Sequence, residues 1–226
     1  MPAFIQDYEV GMGFHAVLWD FGGVITTSPF DNFNRYEAAR GLPRDFIRGV
    51  NALNHTDNAW AKFESSRCTV DEFDALFARE TAAAGHEIRG HEVIGLLGGN
   101  VRPRMVQVLA RCKQDYKVAC LTNNANAGQG TGMSSSEQQA ADVKQVMKLF
   151  DVIVESSKEG IRKPDPAIYR LACERVGVAP ESVVYLDDLG INLKPARELG
   201  MATIKVVSEQ QAIDDLGRLL RIDFGL

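Results

Sequence analysis

Five short apolar runs, each ended by a polar or turn-forming segment, constrain this chain more than any other feature. They occupy residues 15–19, 118–121, 152–154, 183–186 and 203–207. Nearly continuous apolar runs of this length suit strands buried on both faces, as in a parallel sheet. Between the later runs, apolar residues recur at helical spacing. Met105, Val106, Val108 and Leu109 precede the second run, and Val143, Val146, Met147, Leu149 and Phe150 precede the third. Ile168, Leu171, Ala172 and Val176 precede the fourth, and Leu193, Ala196 and Leu199 precede the fifth. Strands alternating with helices predict an α/β fold with a doubly wound, parallel five-stranded, Rossmann-like sheet.

The interval 28–99 departs from that rhythm. It carries helical patterns and no convincing strand, with Phe30, Phe33 and Tyr36 on one face and Val70, Phe73, Leu76 and Phe77 on another. The second of these helices has Thr69 or Asp71 as its cap and stops near Gly85. The expected division is a core of 14–27 and 100–226 with a small helical cap, 28–99, inserted after the first strand. Phe30, Phe33, Trp60, Phe63, Phe73 and Phe77 are expected to form the core of that insert. Segment 125–136 is rich in Gly, Ser and Asn, which predicts either a loop beside the second strand's tip or an excursion into solvent; helix resumes near Glu137.

Charge and composition narrow the partners. The net charge of -5 carries no basic stripe of the kind that binds nucleic acid. No apolar stretch approaches the roughly 18 residues that span a bilayer, and no leader pattern opens the chain, so a cytoplasmic location is expected. Cys68, Cys112, Cys120 and Cys173 lie far apart, as buried thiols in a reducing compartment would. His15, His55, His86 and His91 lack ligand spacing, and only His55, in the cap, is a candidate for a role near a ligand. Oligomeric state has no sequence signal.

Ligands of an open parallel sheet bind beyond the carboxyl ends of its strands. Four polar segments fall at or near such ends: Trp19-Asp20-Phe21-Gly22-Gly23-Val24, Leu121-Thr122-Asn123-Asn124, Arg162-Lys163-Pro164-Asp165-Pro166 and Tyr185-Leu186-Asp187-Asp188. Each alone is as well explained by a turn, a cap or a solvated helix start. In this order they describe a site for a phosphoryl group and a divalent cation. Asp20 is the candidate nucleophile, able to form an aspartyl-phosphate and split one difficult displacement into two. Asp187 and Asp188 supply carboxylate oxygens for Mg²⁺, which prefers about six oxygen ligands. Thr122 and Asn123 can donate to phosphoryl oxygens, and Lys163, in a loop before a helix starting at Pro164 or Asp165, adds a fixed positive charge. Gly22 and Gly23 allow the tight turn that aims a carbonyl at the metal.

These segments resemble the four motifs of the haloacid dehalogenase superfamily of hydrolases. That family's pattern is Asp-x-Asp-Gly-(Thr/Val), then Ser/Thr, then Lys, then an acidic pair. The longer stretches 150–157, 160–169 and 186–200, with Trp60-Ala61-Lys62-Phe63-Glu64 and Thr69-Val70-Asp71-Glu72-Phe73, are similar to the N-terminal phosphatase-like domains of soluble epoxide hydrolase and of acyl-CoA dehydrogenase family members. The resemblance implies an Mg²⁺-dependent phosphatase acting on a small phosphorylated molecule. Asp20 would be nucleophile and metal ligand, Gly22 would offer its carbonyl to the metal, and Thr122, Asn123 and Lys163 would hold the phosphoryl group. Asp188 would ligate the metal with Asp187 assisting. Gly22 is the departure, because phosphatases of the superfamily usually carry there an Asp that protonates the leaving oxygen and then activates water. A positioned acid/base is worth about 10²- to 10⁴-fold, so turnover is expected to be slow on alkyl phosphates and less impaired on esters with good leaving groups. Two alternatives stand beside this reading: a module that binds phosphoryl ligands without catalysis, and a 2-haloacid dehalogenase, which has little use for Asp187 and Asp188.

Overall fold

The computed structural model describes residues 13–125 and 137–226, so most of the Gly/Ser/Asn-rich segment 125–136 lies outside the described residues. Five strands, β1 (Ala16–Trp19), β2 (Lys117–Thr122), β3 (Val152–Glu155), β4 (Val183–Asp187) and β5 (Ala202–Lys205), form one sheet in the order β3-β2-β1-β4-β5. Every pair is parallel, with Leu18 opposite both Ala119 and Tyr185. The chain adds β2 and β3 on one side of β1, then crosses back to lay β4 on the other. That reversal makes the crevice between the carboxyl ends of β1 and β4 the place where an open sheet binds ligands.

Helices α1 (Pro29–Ala39), α2 (Phe46–Ala52), α3 (Ala59–Glu64), α4 (Val70–Ala83) and α5 (Gly90–Ile94) fall between β1 and β2. The others are α6 (Pro103–Cys112), α7 (Glu137–Met147), α8 (Ser156–Glu159), α9 (Pro166–Val176), α10 (Gly190–Glu198) and α11 (Glu209–Leu220). None is long and apolar enough to cross a membrane.

Strand alternation sorts the side chains into two cores. Val17, Trp19, Val118, Cys120, Val184 and Leu186 pack against α6, α7 and α11. Ala16, Leu18, Ala119, Leu121, Val183 and Tyr185 pack against α9 and α10. A third cluster, led by Phe33, Trp60, Phe63, Phe73 and Phe77, is built almost wholly from the helices between β1 and β2, with Ala125 joining it from beyond β2. The Phe63 and Phe73 rings stack at 4.4 Å, and Phe73 stacks on Phe77 at 5.5 Å. Phe30 is only partly buried against this cluster.

Most strand ends fall within a residue of the runs read from the sequence, and two other differences each have a local reason. The fifth run reads as 203–207, but the strand stops at Lys205 because Ser208 and Gln211 form a reciprocal cap that starts α11. Val207 is left 71% exposed. The helix after Lys163 begins at Pro166 rather than Pro164 or Asp165, because Asp165 is its cap, accepting from Ala167 N at 2.9 Å. Thr69 caps α4 as expected, with Glu72 completing the box. Cys112, Cys120 and Cys173 are buried free thiols, and Cys68 is half-buried. Burial pushes the Cys112 thiol up to about 12 and that of Cys173 to about 11.

Candidate active site

β1 ends in a tight loop, Phe21–Ile25, that leaves Asp20 extended at the strand's tip. Asp20 Oδ1 accepts from Phe21 N at 2.7 Å and lies 2.9 Å from Lys163 Nζ. The same ammonium donates to Asp187 Oδ2 at 2.8 Å, so one buried cation bridges the tips of β1 and β4. Burial alone would favour a neutral amine. Asp187 and Asp20 outweigh it and hold Lys163 charged, above the usual lysine range.

Asp187 has no exposed surface. Besides Lys163 it accepts from Leu189 N at 2.7 Å, from Asn192 Nδ2 at 3.1 Å, and from the Tyr185 hydroxyl. Four donors fill the roughly four lone-pair positions of a carboxylate. Asp188 is freer, with Ser28 Oγ 3.4 Å from its Oδ2. Burial, aided by Asp187 and opposed by Lys163, pushes its carboxyl up to about 6. Burial likewise pushes Asp20 well above the usual carboxylate range, against the pull of Lys163 and with Asp187 and Asp188 adding to it.

Carboxylate oxygens of Asp20, Asp187 and Asp188 lie within 4.8 Å of one another. With Asp187 already occupied by its four donors, Asp20 and Asp188 are the carboxylates left to offer oxygen atoms to an ion. Asp187 stands behind them rather than as a direct ligand, and an oxygen donor set of this kind fits a hard divalent cation such as Mg²⁺. The two neighbouring glycines differ. Gly23 has φ 78°, and a Cβ there would lie 2.2 Å from Asp188 Oδ2. A Cβ on Gly22 would meet nothing within 4 Å.

Asp20, Gly22, Thr122, Asn123, Lys163 and Asp188 line a cavity of about 450 Å³. Phe30 and Trp60 from the helices after β1, and His55 from the turn between α2 and α3, contribute to the same wall. Asp187 does not line it; it stands behind Lys163. A larger depression of about 940 Å³ touches His15, Lys117 and Ser182 at the amino ends of the strands, away from every candidate residue. Parallel sheets bind ligands at the other end, so the smaller cavity is the candidate site.

Asn123 sits in the site differently from the sequence reading. Its amide is committed to the main chain of Lys163: Nδ2 donates to Lys163 O at 3.0 Å, and Oδ1 accepts from Lys163 N at 2.9 Å. What Asn123 can still offer a phosphoryl oxygen is its backbone N–H. The sequence reading also missed Asn192, Tyr185 and Arg102, whose Nη1 donates to Gly23 O at 2.9 Å. Tyr185 was findable, since position i–2 on a strand shares the face of Asp187. Arg102 was not, because it comes from beyond the whole helical insert.

A family model of haloacid dehalogenase-like hydrolases matches residues 14–200. Acyl-CoA dehydrogenase family member 10 of Mus musculus is 32% identical over 222 residues, covering 93% of this chain and 19% of that protein. Bifunctional epoxide hydrolase 2 of Mus musculus is 27% identical, covering 94% of this chain and 40% of that protein. The chain thus spans well under half the length of either. Phosphatase MT3486 of Mycobacterium tuberculosis (strain CDC 1551 / Oshkosh) is 28% identical over 92% of this chain and 94% of its own length. In fold, the chain is similar to a HAD family enzyme of Bacteroides thetaiotaomicron crystallised with magnesium and inorganic phosphate. The TM-score is 0.55 at 19% identity, over 85% of this chain and 93% of that one. A family match across most of the sequence, on a sheet of this order, makes the chain a member of the haloacid dehalogenase-like hydrolases.

Proposed function

We propose that this hydrolase is an Mg²⁺-dependent phosphatase of small phosphate monoesters, with Asp20 as nucleophile and helices α1–α5 as a cap over the site. The observation that carries the reading is the Asp20 carboxylate 2.9 Å from the buried Lys163 ammonium, beside Asp188 in one cavity. A phosphatase among the full-length relatives, and a fold neighbour crystallised with magnesium and phosphate, support it.

In this reading Asp20 attacks phosphorus, the bond to the leaving oxygen breaks with its electron pair, and an aspartyl-phosphate forms. Lys163 balances charge on the phosphoryl oxygens, helped by the Thr122 hydroxyl and the Asn123 backbone N–H. Asp20, the Gly22 carbonyl and Asp188 would hold Mg²⁺, with Asp187 assisting from behind through Lys163. When bound, the ion supplies the positive charge that lets a carboxylate and a phosphate dianion approach. Gly22 has no proton to give, so the leaving oxygen takes one from solvent, and good leaving groups suffer least.

The test is a panel of p-nitrophenyl phosphate and a simple alkyl phosphate, with and without Mg²⁺, on the wild type and Asp20→Asn. Metal-dependent turnover that favours the aryl ester and vanishes in Asp20→Asn is expected. Turnover that survives Asp20→Asn sinks the nucleophile assignment. Chloride release from a 2-haloacid without metal would instead favour a dehalogenase, and binding of phosphate and Mg²⁺ without turnover a non-catalytic module.

A further inference from the structure

Glu64 ends α3, in a stretch to which no motif assigns chemistry. Its Oε2 accepts from Arg162 Nε at 2.7 Å and from Asn123 Nδ2 at 3.2 Å, and it pairs with Arg162 Nη2 at 2.7 Å. The side chains of Arg162 and Glu64 are only 22% and 18% exposed, so this pair, in which the guanidinium fork closes on one carboxylate oxygen, is better sheltered than an ordinary surface ion pair. Both partners lead to Lys163. Arg162 precedes it in sequence and also donates from Nη1 to His55 O at 3.0 Å, which fastens a second point of the helical segment. Asn123 grips both sides of the Lys163 main chain, as described above.

An asparagine amide can turn over, and only one orientation serves Lys163. With Nδ2 toward Lys163 O and Oδ1 toward Lys163 N, both backbone groups are paired. Reversed, the amide oxygen would face the Lys163 carbonyl and its NH₂ would face the Lys163 N–H. The Lys163 main chain therefore sets the orientation, and the carboxylate beside the amide reinforces it, because only the NH₂ end can donate to Glu64. Lys163 Nζ has to reach Asp20 at 2.9 Å and Asp187 at 2.8 Å from that same backbone.

We propose that Glu64 is a positioning residue. It couples the seating of the helices that follow β1 to the placement of Lys163, by bracing the Asn123 amide and anchoring Arg162. A shift of these helices away from the sheet would break the carboxylate's contacts and loosen the lysine, so the site is held in working geometry only while the helices are seated. The kinetic consequence rests on the phosphatase reading; the coupling itself does not.

The experiment compares wild type, Glu64→Ala, Glu64→Gln, Asn123→Ala and the double variant Glu64→Ala/Asn123→Ala, all in the full chain with Mg²⁺. Two quantities are read: kcat and KM on p-nitrophenyl phosphate, and amide hydrogen exchange at Lys163, whose N–H bonds to Asn123. Misplacement on the order of 1 Å costs up to about 10²-fold, so Glu64→Ala is expected to lower kcat by about tenfold or more, KM changing less, and to speed exchange at Lys163. Glu64→Gln keeps an acceptor oxygen for both partners and should recover most of both. The double variant should be little worse than the worse single one, since the residues act in one chain of contacts. Wild-type kcat and exchange in Glu64→Ala, or effects that simply add in the double variant, would overturn the proposal. If the wild type hydrolyses no phosphate ester, that result counts against the phosphatase reading, and the exchange comparison alone decides the coupling. Should Glu64→Ala not fold, Arg162→Lys, which keeps the charge and loses the fork, replaces it under the same outcomes.

Discussion

At Gly23 the main chain is in the left-handed region, and the space a Cβ would take belongs to Asp188. Any side chain there meets both a backbone penalty and a clash with a candidate metal ligand. Gly23→Ala is therefore expected to lower stability by about 1–3 kcal/mol in a urea titration and to weaken Mg²⁺ binding by calorimetry; wild-type values in both would refute the account. Gly22 is the opposite case. Its φ of -68° and ψ of 130° suit any L residue, and open space surrounds the missing Cβ. Neither backbone nor packing requires a glycine, so Gly22→Asp should fold normally. It should raise kcat on an alkyl phosphate by as much as about 10²- to 10⁴-fold while changing the aryl ester little. No gain would mean that another group already moves that proton. Two adjacent glycines look alike in a sequence; the difference arises only from φ and from a carboxylate brought in by β4.

Elements set the ends of strands and helices, and with them the site's rigidity. Asp187 is held by its own strand through Tyr185 and by the start of α10 through Leu189 N and Asn192. Removing Asn192 strips a donor from a buried charge, so Asn192→Leu should cost about 1–3 kcal/mol of unfolding free energy in urea. A wild-type midpoint would count against this reading of the network. In the helices after β1, Phe73 sits between Phe63 and Phe77 with its side chain fully buried. Phe73→Ala should cost about 3–5 kcal/mol, measured the same way, and a loss below 1 kcal/mol would show that the cluster collapses into the gap. Periodicity made both kinds of element legible: continuous apolar runs for strands, and spaced apolar positions for α4, α6 and α9. It misplaced the end of β5, where a capping side chain competes with the apolar pattern. The start of α9 differs because Pro166 rather than Pro164 is the first-turn proline.

On the scale of the molecule, the fold concentrates like charges at one edge. The Asp188 carboxyl is pushed up to about 6 by burial and by Asp187. Without metal, the folded chain keeps a proton there that the unfolded chain releases near pH 4, so stability falls as pH rises from about 4 to about 6. In the proposed reading Mg²⁺ would bind the carboxylate form, so the rise in Tm on adding Mg²⁺ should grow between about pH 5 and about pH 7. A metal-induced shift that is flat across this range, or unchanged in Asp188→Asn, would contradict the assignment. By itself the sequence determined the class of fold and the candidate residues at the ends of β1, β2 and β4, because strand burial and strand-end chemistry are written in local patterns. Only the tertiary structure decided that Lys163 bridges Asp20 and Asp187, that the Asn123 amide serves the Lys163 backbone, and that Glu64 reaches both Asn123 and Arg162. Those relations join residues far apart in the chain, and no local pattern encodes which distant partner will fill a hydrogen-bonding position.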